Sequence, residues 1–537
     1  MTNEFYSKDL GHHGIVAAVC DQIGLVKTID EIIPPDVRSE LSIGEVVKLM
    51  IINGLGFTSR PLYLESQFFS SKPIERLLGR DIDCKQITDD RLGKSLDSCF
   101  ESGCSQIFGK VATKAALQYN VDQKFRHLDT TSINVQGEYD QEEGIGLVTF
   151  GHSKDHRPDL KQFMVSLMSS KDGDIPLLAQ SISGNTSDKS HFKEILSSLK
   201  NQMDPNQPFY YVADSALYTK KTLEKISSDM MWITRVPEVL KSAKSAIRSI
   251  SSEEMRDVGN GYSVAELGSW YGDVCQRWLI VFSEKAMARE KKTLERNINK
   301  EIKTKEKELN ALFSKRFGCE KDALAAISTF KKGLKYVNCI EVALEEIQVH
   351  KGKGRPKKGT TPDVVFKVKA SLERNNMVIE QCLSEKGKFI VATNELDETK
   401  LPSSELLDCY KEQQCVERGF RFLKDPFFLT PSVFLKKQER IVALTMIMCL
   451  CLLIYTLAQR ILRHRLQDMD TTLSDQCGKP TQYPTIRWIF QIFEGVHVLF
   501  FVTGGVSKEQ VLNLSPQRKR ILEVLGPPFQ KIYEDSA

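Results

Sequence analysis

Apolar and polar positions along the chain change period several times, and each change predicts a different element. Over the first 115 residues the reading is helical. In LSIGEVVKLMIINGLG (41–56) and ITDDRLGKSLDSCFESG (87–103) apolar residues recur at steps of three and four, the signature of a helix with one buried face. Ser42, and Thr88 or Asp89, stand where N-caps belong. From about residue 120 the pattern turns to strands. FRHLDTTSINV (125–135), KQFMVSLMSS (161–170) and IPLLAQSIS (175–183) read as strands, the last two joined by KDGD, whose Asp-Gly marks a hairpin. SHFKEILSSLK (190–200) reads as a helix and FYYVAD (209–214) as a short strand ending in an acid. The hairpin predicts antiparallel neighbours, and the helix is long enough for a crossover to a parallel strand.

Residues 236–385 break this order and read as an insertion. SVAELGSW and CQRWLIVFS suggest a β-hairpin. AREKKTLERNINKEIKTKEKELNALF is a long charged helix with a narrow stripe of Leu294, Ile298, Ile302, Leu309 and Leu312. A second helix over 320–346 is expected to pack back on it. HKGKGRPKKGTTPD (350–363) then reads as a basic linker, and GKFIVATNE (387–395) returns to strand character. In CYKEQQCVERGFRFLKDP (409–426) the apolar Val416, Phe420 and Leu423 make the buried stripe of one more helix, with Glu417 beside it among Arg418, Arg421 and Lys424. The plain reading of Glu417 is an i,i+4 pair with Arg421. IVALTMIMCLCLLIYTLA (441–458) follows, long enough to cross a membrane but equally suited to a buried core helix, which is the expectation here. RWIFQIFEGVHVLF (487–500) lies in the C-terminal region.

Composition narrows the classes. Of 537 residues 41% are hydrophobic and 27% charged, which suits a globular chain of several domains. A net charge of only +4 means that any nucleic-acid surface is local. Thirteen cysteines without a CxxC pair argue for a reducing compartment and against a Cys-rich zinc site. The first residues, MTNEFYSKDLGHHG, lack a signal-peptide pattern.

Candidate chemistry lies at the ends of two strands. Two strands are expected to end in acids followed by hydroxyl or small residues, at Asp129 in HLDTTS and at Asp214 in YVADSAL. Ligands gather outside the carboxyl ends of parallel strands, so neighbouring strands would set these acids side by side, and a helix after the last strand would bring Glu417 opposite. Three converging carboxylates repel one another and favour a divalent cation, and hard oxygen donors suit Mg²⁺ or Mn²⁺. His127 lies two residues before Asp129 on the same strand face, and neither it, His152 nor His156 is assigned as a ligand. Trp232 is expected in the core.

With these residues in place, the sequence resembles the DDE transposases of bacterial and archaeal insertion sequences. More narrowly it resembles the insertion-sequence-four-like branch, whose Tyr–Arg–Glu–Lys signature surrounds the third acid. Tyr410, Glu417 and Lys424 fall at the signature's spacing, and Gln413 stands at the Arg position. GHSKDHRPDLKQF (151–163), SGNTSD (183–188) and the insertion between the second and third acids add to the likeness. The resemblance implies an α/β fold: an RNase H-like mixed sheet flanked by helices, interrupted by a large α+β insertion, with an N-terminal helical domain. The expected divisions are 1–118 (helical, DNA-binding), 119–235 (first part of the catalytic core), 236–385 (insertion), 386–465 (second part of the core) and 466–537 (C-terminal region).

It implies a transposase that binds the terminal inverted repeats of its own element and carries out strand cleavage and strand transfer by cut-and-paste. Asp129, Asp214 and Glu417 would be the catalytic residues holding two Mg²⁺, with Mn²⁺ able to substitute. Tyr410, Gln413, Arg421, Lys424, Lys154 and Arg157 would contact DNA, and Arg355 of KGKGRPKK would enter a minor groove. The partners implied are double-stranded DNA and a second copy of the chain assembled on it, in the cytoplasm of a prokaryote and without a membrane. Gln413 carries no charge for a phosphate, which motivates the alternative of a catalytically inactive, transposase-derived DNA-binding protein.

Overall fold

The computed structural model describes residues 5–57, 64–137, 139, 145–151, 157–186, 209–350, 361–425, 435–503 and 506–535. The expected helix at 190–200 lies outside them. The chain divides into two compact units: 1–234 with 272–274 and 408–537, and 235–271 with 275–407.

The first unit opens with a short strand, β1 (Phe5–Asp9), where only helices are expected. It pairs antiparallel with His497–Thr503, which pairs with Val506–Leu512. Among the described residues the helices that follow are α1 (His13–Gln22), α2 (Leu25–Asp30), α3 (Ile43–Gly54), α4 (Glu65–Ser70), α5 (Ile74–Leu78), α6 (Asp89–Glu101) and α7 (Cys104–Gln118). Helix α3 starts in a capping box. Ser42 accepts from the Glu45 amide, and Glu45 accepts from the Ser42 amide. Thr88, rather than Asp89, caps α6.

Five strands of this unit are β2 (Phe125–Val135), β3 (Lys161–Ser170), β4 (Pro176–Ser183), β5 (Tyr210–Ala213) and β6 (Met231–Arg235). They lie in the order β4-β3-β2-β5-β6. The first three are antiparallel, and β5 and β6 run parallel to β2. This mixed order is that of an RNase H-like core. Helix α8 (Lys220–Ile226) connects β5 to β6. Trp232 on β6 is fully buried, as expected, and donates to Ser227 Oγ at 2.9 Å.

The KDGD turn between β3 and β4 does more than reverse the chain. Gly173 and Asp174 adopt φ of 80° and 60°, and a Cβ on Gly173 would collide with the Arg460 side chain. Asp172 makes a two-toothed ion pair with Arg460 (2.8 and 2.5 Å), and Asp174 makes another with Arg418 (2.7 and 2.6 Å). The hairpin therefore ties the sheet to two later helices.

In the second unit β7 (Arg256–Gly259), β8 (Tyr262–Tyr271), β9 (Val274–Ser283) and β12 (Lys388–Thr393) lie in the order β12-β9-β8-β7. The expected hairpin is β8–β9. Helix α9 is Lys241–Ser249. The long charged helix, α10, spans Glu284–Phe313. Its stripe divides between two small clusters: Leu294 and Ile298 with Ile379, and Leu309 and Leu312 with Ala323, Ile327 and Val368.

The expected helix over 320–346 is corrected. Helix α11 stops at Lys332 (Glu320–Lys332), and Val337–Val349 is a strand, β10, paired antiparallel with β11 (Asp363–Arg374). The basic stretch 350–362 therefore connects the two strands of a ribbon rather than linking insertion to core. Helices α12 (Asn376–Ser384) and α13 (Ser403–Lys411) follow.

Back in the first unit, α14 (Gln414–Leu423) and α15 (Gln438–Asp468) complete the core. Helix α15 carries the 441–458 run. It is long and apolar enough to cross a membrane, yet 89% of its most apolar window is buried among the other helices and β4. Its apolar surface is accounted for by that packing.

Candidate active site

Asp129 sits on β2, and its position is fixed by register. It faces Leu167 across the β2–β3 ladder, so the two side chains leave the sheet on the same face. Leu167 touches α14: a Cβ on Gly419 would stand 2.9 Å from Leu167 Cδ2 and 3.1 Å from Leu452 Cδ2. Gly419 thus lets α14 dock closely on β3 and α15, and Asp129 leaves the sheet on the side that α14 covers.

Asp214 follows β5 immediately. The β2–β5 register ends at His127–Val212, and two further steps bring Asp214 level with Asp129 on a neighbouring strand about 5 Å away. Its side chain caps the following turn, accepting from the Ala216 amide at 2.9 Å, and its carbonyl accepts from Thr234 Oγ1 at 2.6 Å. Asp129 is half-buried with its Oδ1 accepting from the Thr130 amide at 2.7 Å, and Asp214 is exposed.

Glu417 is exposed on α14, about 100° round the helix from Arg418. The i,i+4 pair with Arg421 does not form. Among the described residues neither Glu417 nor Arg421 makes a hydrogen bond or ion pair. Arg418 carries the electrostatics of this helix instead, through Asp174 and, at 3.7 Å, Glu412. The Asp174 carboxylate raises the pKa of Arg418.

The sheet register sets the two aspartates level, and Glu417 does not complete a metal-holding group with them. Among the described residues no three His, Cys, Asp or Glu side chains are close enough to hold a metal ion. The expected strand end at Asp129 is corrected: β2 continues to Val135, so Asp129 lies mid-strand and only Asp214 follows a strand end. Two carboxylates on neighbouring strands and a third on a docked helix are hard oxygen donors that suit a divalent cation. The geometry in this structure is that of a pair, not a closed triad.

Three of the other expected contacts follow one another along α13 and α14. Tyr410 lies near the end of α13, Gln413 precedes α14 without capping it through its side chain, and Lys424 closes α14. Arg157 is exposed and tied to Asp159 (2.8 and 2.6 Å), which raises its pKa. Lys154, Arg355, His152 and His156 lie outside the described residues. Sequence reasoning set His127 aside, and the structure makes it part of this neighbourhood. It is fully buried on the Asp129 face of β2, with neither ring nitrogen hydrogen-bonded. Burial, then Lys171 and Arg418, lower its pKa to about 3, so it is a neutral wall of the site. The alternation His127–Asp129 was the available signal.

A family model described as the transposase DDE domain matches residues 122–454, and a domain of unknown function, DUF4277, matches 5–113. The first covers more than half of the chain. The chain belongs to the DDE transposase family. It is therefore a transposase, an enzyme of DNA transposition, from a family that uses divalent metal ions. Among solved structures it is similar to a piggyBac transposase synaptic complex with hairpin DNA, at 9% identity and a TM-score of 0.36, covering 89% of this chain and 79% of that one. No curated protein sequence matches it.

Proposed function

We propose that the chain is an insertion-sequence transposase of the branch with the Tyr–Arg–Glu–Lys signature, acting on the terminal inverted repeats of its own element. The observation that carries this is the level placement of Asp129 and Asp214 on adjacent parallel strands, beneath the helix that bears Glu417. Asp129, Asp214 and Glu417 are the residues that would hold Mg²⁺, or Mn²⁺ in its place. A pair of such ions supplies an activated water or 3′-hydroxyl and stabilises the leaving oxygen of a phosphodiester.

The chain's own part is positional. The register sets Asp129 and Asp214 level on neighbouring strands, Glu417 is exposed on α14, and in this reading Glu417 is drawn towards them when DNA is bound. Tyr410, Gln413, Arg421 and Lys424 along the same segment would hold the DNA strand, with Lys154, Arg157 and Arg355 as further contacts. Cleavage would free a 3′-hydroxyl at the element end for transfer into target DNA, by cut-and-paste. Two ends must be handled together, so a homodimer assembled on DNA is the working form.

Gln413 and the unclosed triad favour a second reading, an inactive DNA-binding descendant. Cleavage of a plasmid carrying the gene with its natural flanks separates the two. Wild type and Glu417→Ala are compared with Mg²⁺ or Mn²⁺, alongside band shifts on the same flanks. The expected result is that both proteins bind and only wild type cuts, at the element ends. Binding without cutting by wild type supports the inactive reading. Cutting that survives Glu417→Ala removes Glu417 from the site.

A further inference from the structure

The flank of α14 that carries Arg418, Arg421 and Phe422, next to the Glu417 position, borders a cleft of about 840 Å³ within the first unit. Its walls carry five cations: Lys171, Arg418, Arg421, Arg463 and Arg487. Two are already matched. Arg418 is held by Asp174, and Arg487 by Asp425 at 2.5 Å, with its guanidinium over the Phe57 ring at 4.8 Å. The other three have no carboxylate within ion-pair distance among the described residues.

Arg463 is the most telling of the three. It is half-buried on α15, and its Nε donates to the Pro484 carbonyl at 3.0 Å. Burial lowers its pKa, the mark of a cation set in a partly dry place. Asp174 acts on this charge only from beyond ion-pair distance, so holding it there costs stability, and an arriving anion offsets that cost. The carbonyl contact fixes the planar fork, so little freedom is lost on binding. Lys171 stands on the latched KDGD turn, and Arg421 is exposed one turn beyond Glu417. Tyr483, 62% exposed, also lines the cleft.

We propose that this cleft binds phosphoester groups, with Lys171, Arg421 and Arg463 each meeting a phosphate oxygen, and that its occupant is the sugar–phosphate backbone of the DNA substrate. The proposal rests on the transposase reading above. It extends the DNA path from Glu417 through Arg421 into the cleft beside α14. The contacts are to backbone and carry no base specificity.

The test is the salt dependence of binding to a duplex bearing the natural flanks, for wild type, Lys171→Gln, Arg463→Gln and Arg463→Lys. For every phosphate that the protein no longer neutralises, the slope of log K against log salt falls by about 0.9. Lys171→Gln and Arg463→Gln are each expected to lower it by about that amount, and Arg463→Lys to keep it. Thermal melts of all four proteins identify a variant that fails to fold, in which case Lys171→Gln alone decides. Inorganic phosphate and deoxyadenosine monophosphate are titrated into wild type and Arg463→Gln to distinguish the sources of phosphate. Unchanged slopes with intact wild-type binding overturn the proposal and leave the transposase reading standing. Unchanged slopes with mononucleotide binding that Arg463→Gln abolishes make the cleft a small-anion site and overturn the DNA-backbone form. No DNA binding by wild type overturns the DNA reading itself.

Discussion

Helices α10 and α15 are nearly equal in length, 30 and 31 residues, and opposite in character. Helix α15 is apolar on almost every side and lies inside a core to which α1, α3, α6, α7, α14 and β4 all contribute. Helix α10 is charged nearly all round, and its stripe feeds two small clusters. Length says nothing about environment, whereas the width of the apolar face says nearly everything. The difference has a functional side. All three candidate carboxylates and the cationic cleft belong to the unit built around α15, where dense packing holds side chains in fixed places.

The comparison can be broken most sharply by the same substitution in both helices. Leu453→Ala in α15, at a fully buried position, is expected to cost about 2–5 kcal/mol. Leu309→Ala in α10 should fall at or below the low end, about 2 kcal/mol, because a small cluster at the surface relaxes around the gap. Urea midpoints followed by tryptophan fluorescence check this. Trp232 and Trp488 report on the first unit, and Trp270 and Trp278 on the second. Equal losses would mean that the two helices are equally supported.

Acid should sharpen the same contrast. Burial holds His12, His13 and His127 of the first unit below the ordinary value of 6.5, His12 at about 4 and His127 at about 3. Unfolding lets each take a proton below pH 6.5 while the folded form does not. Their contribution is therefore complete above pH 6.5 and is lost as pH falls towards the folded values, by about 1.4 kcal/mol per pH unit for each. The second unit's one histidine, His350, is exposed. Denaturation at pH 7 and pH 5 should move the Trp232 and Trp488 signals more than the others, and His127→Gln should reduce that movement.

The smallest effect belongs to the surface of α10. Lys305 pairs with Glu308 at 2.7 Å, and Lys305→Gln should change stability by less than about 0.5 kcal/mol. A larger loss by calorimetry would show that the charged face supports the unit.

Strands β2 to β5 were readable as short runs of apolar and β-branched residues bounded by turn residues, although β2 runs on past Asp129 to Val135. Strand β10 was not. Its register shifts between Ile340 and Ala343, where Glu341 takes φ of 52°. The bulge leaves Ile340, Leu344 and Ile347 four and three residues apart, which imitates a helix. Its partner β11 alternates over VVFKVKA and could have been found by that signal. β1 went unread because five residues that pair with the far end of the chain carry little local pattern.

By itself the sequence determined the types of the long elements, an acid on β2, an acid just after β5 and the glutamate beside a buried helical stripe, because these follow from side-chain order at a fixed period. Only the tertiary structure decided which charges meet. Arg418 rather than Arg421 found a carboxylate, and Asp174, its partner, is 244 residues away. It also left Asp129, Asp214 and Glu417 short of a group that could hold a metal ion, and buried His127 with neither ring nitrogen hydrogen-bonded. Such distances depend on how one helix docks on a sheet, and neither composition nor spacing carries that information.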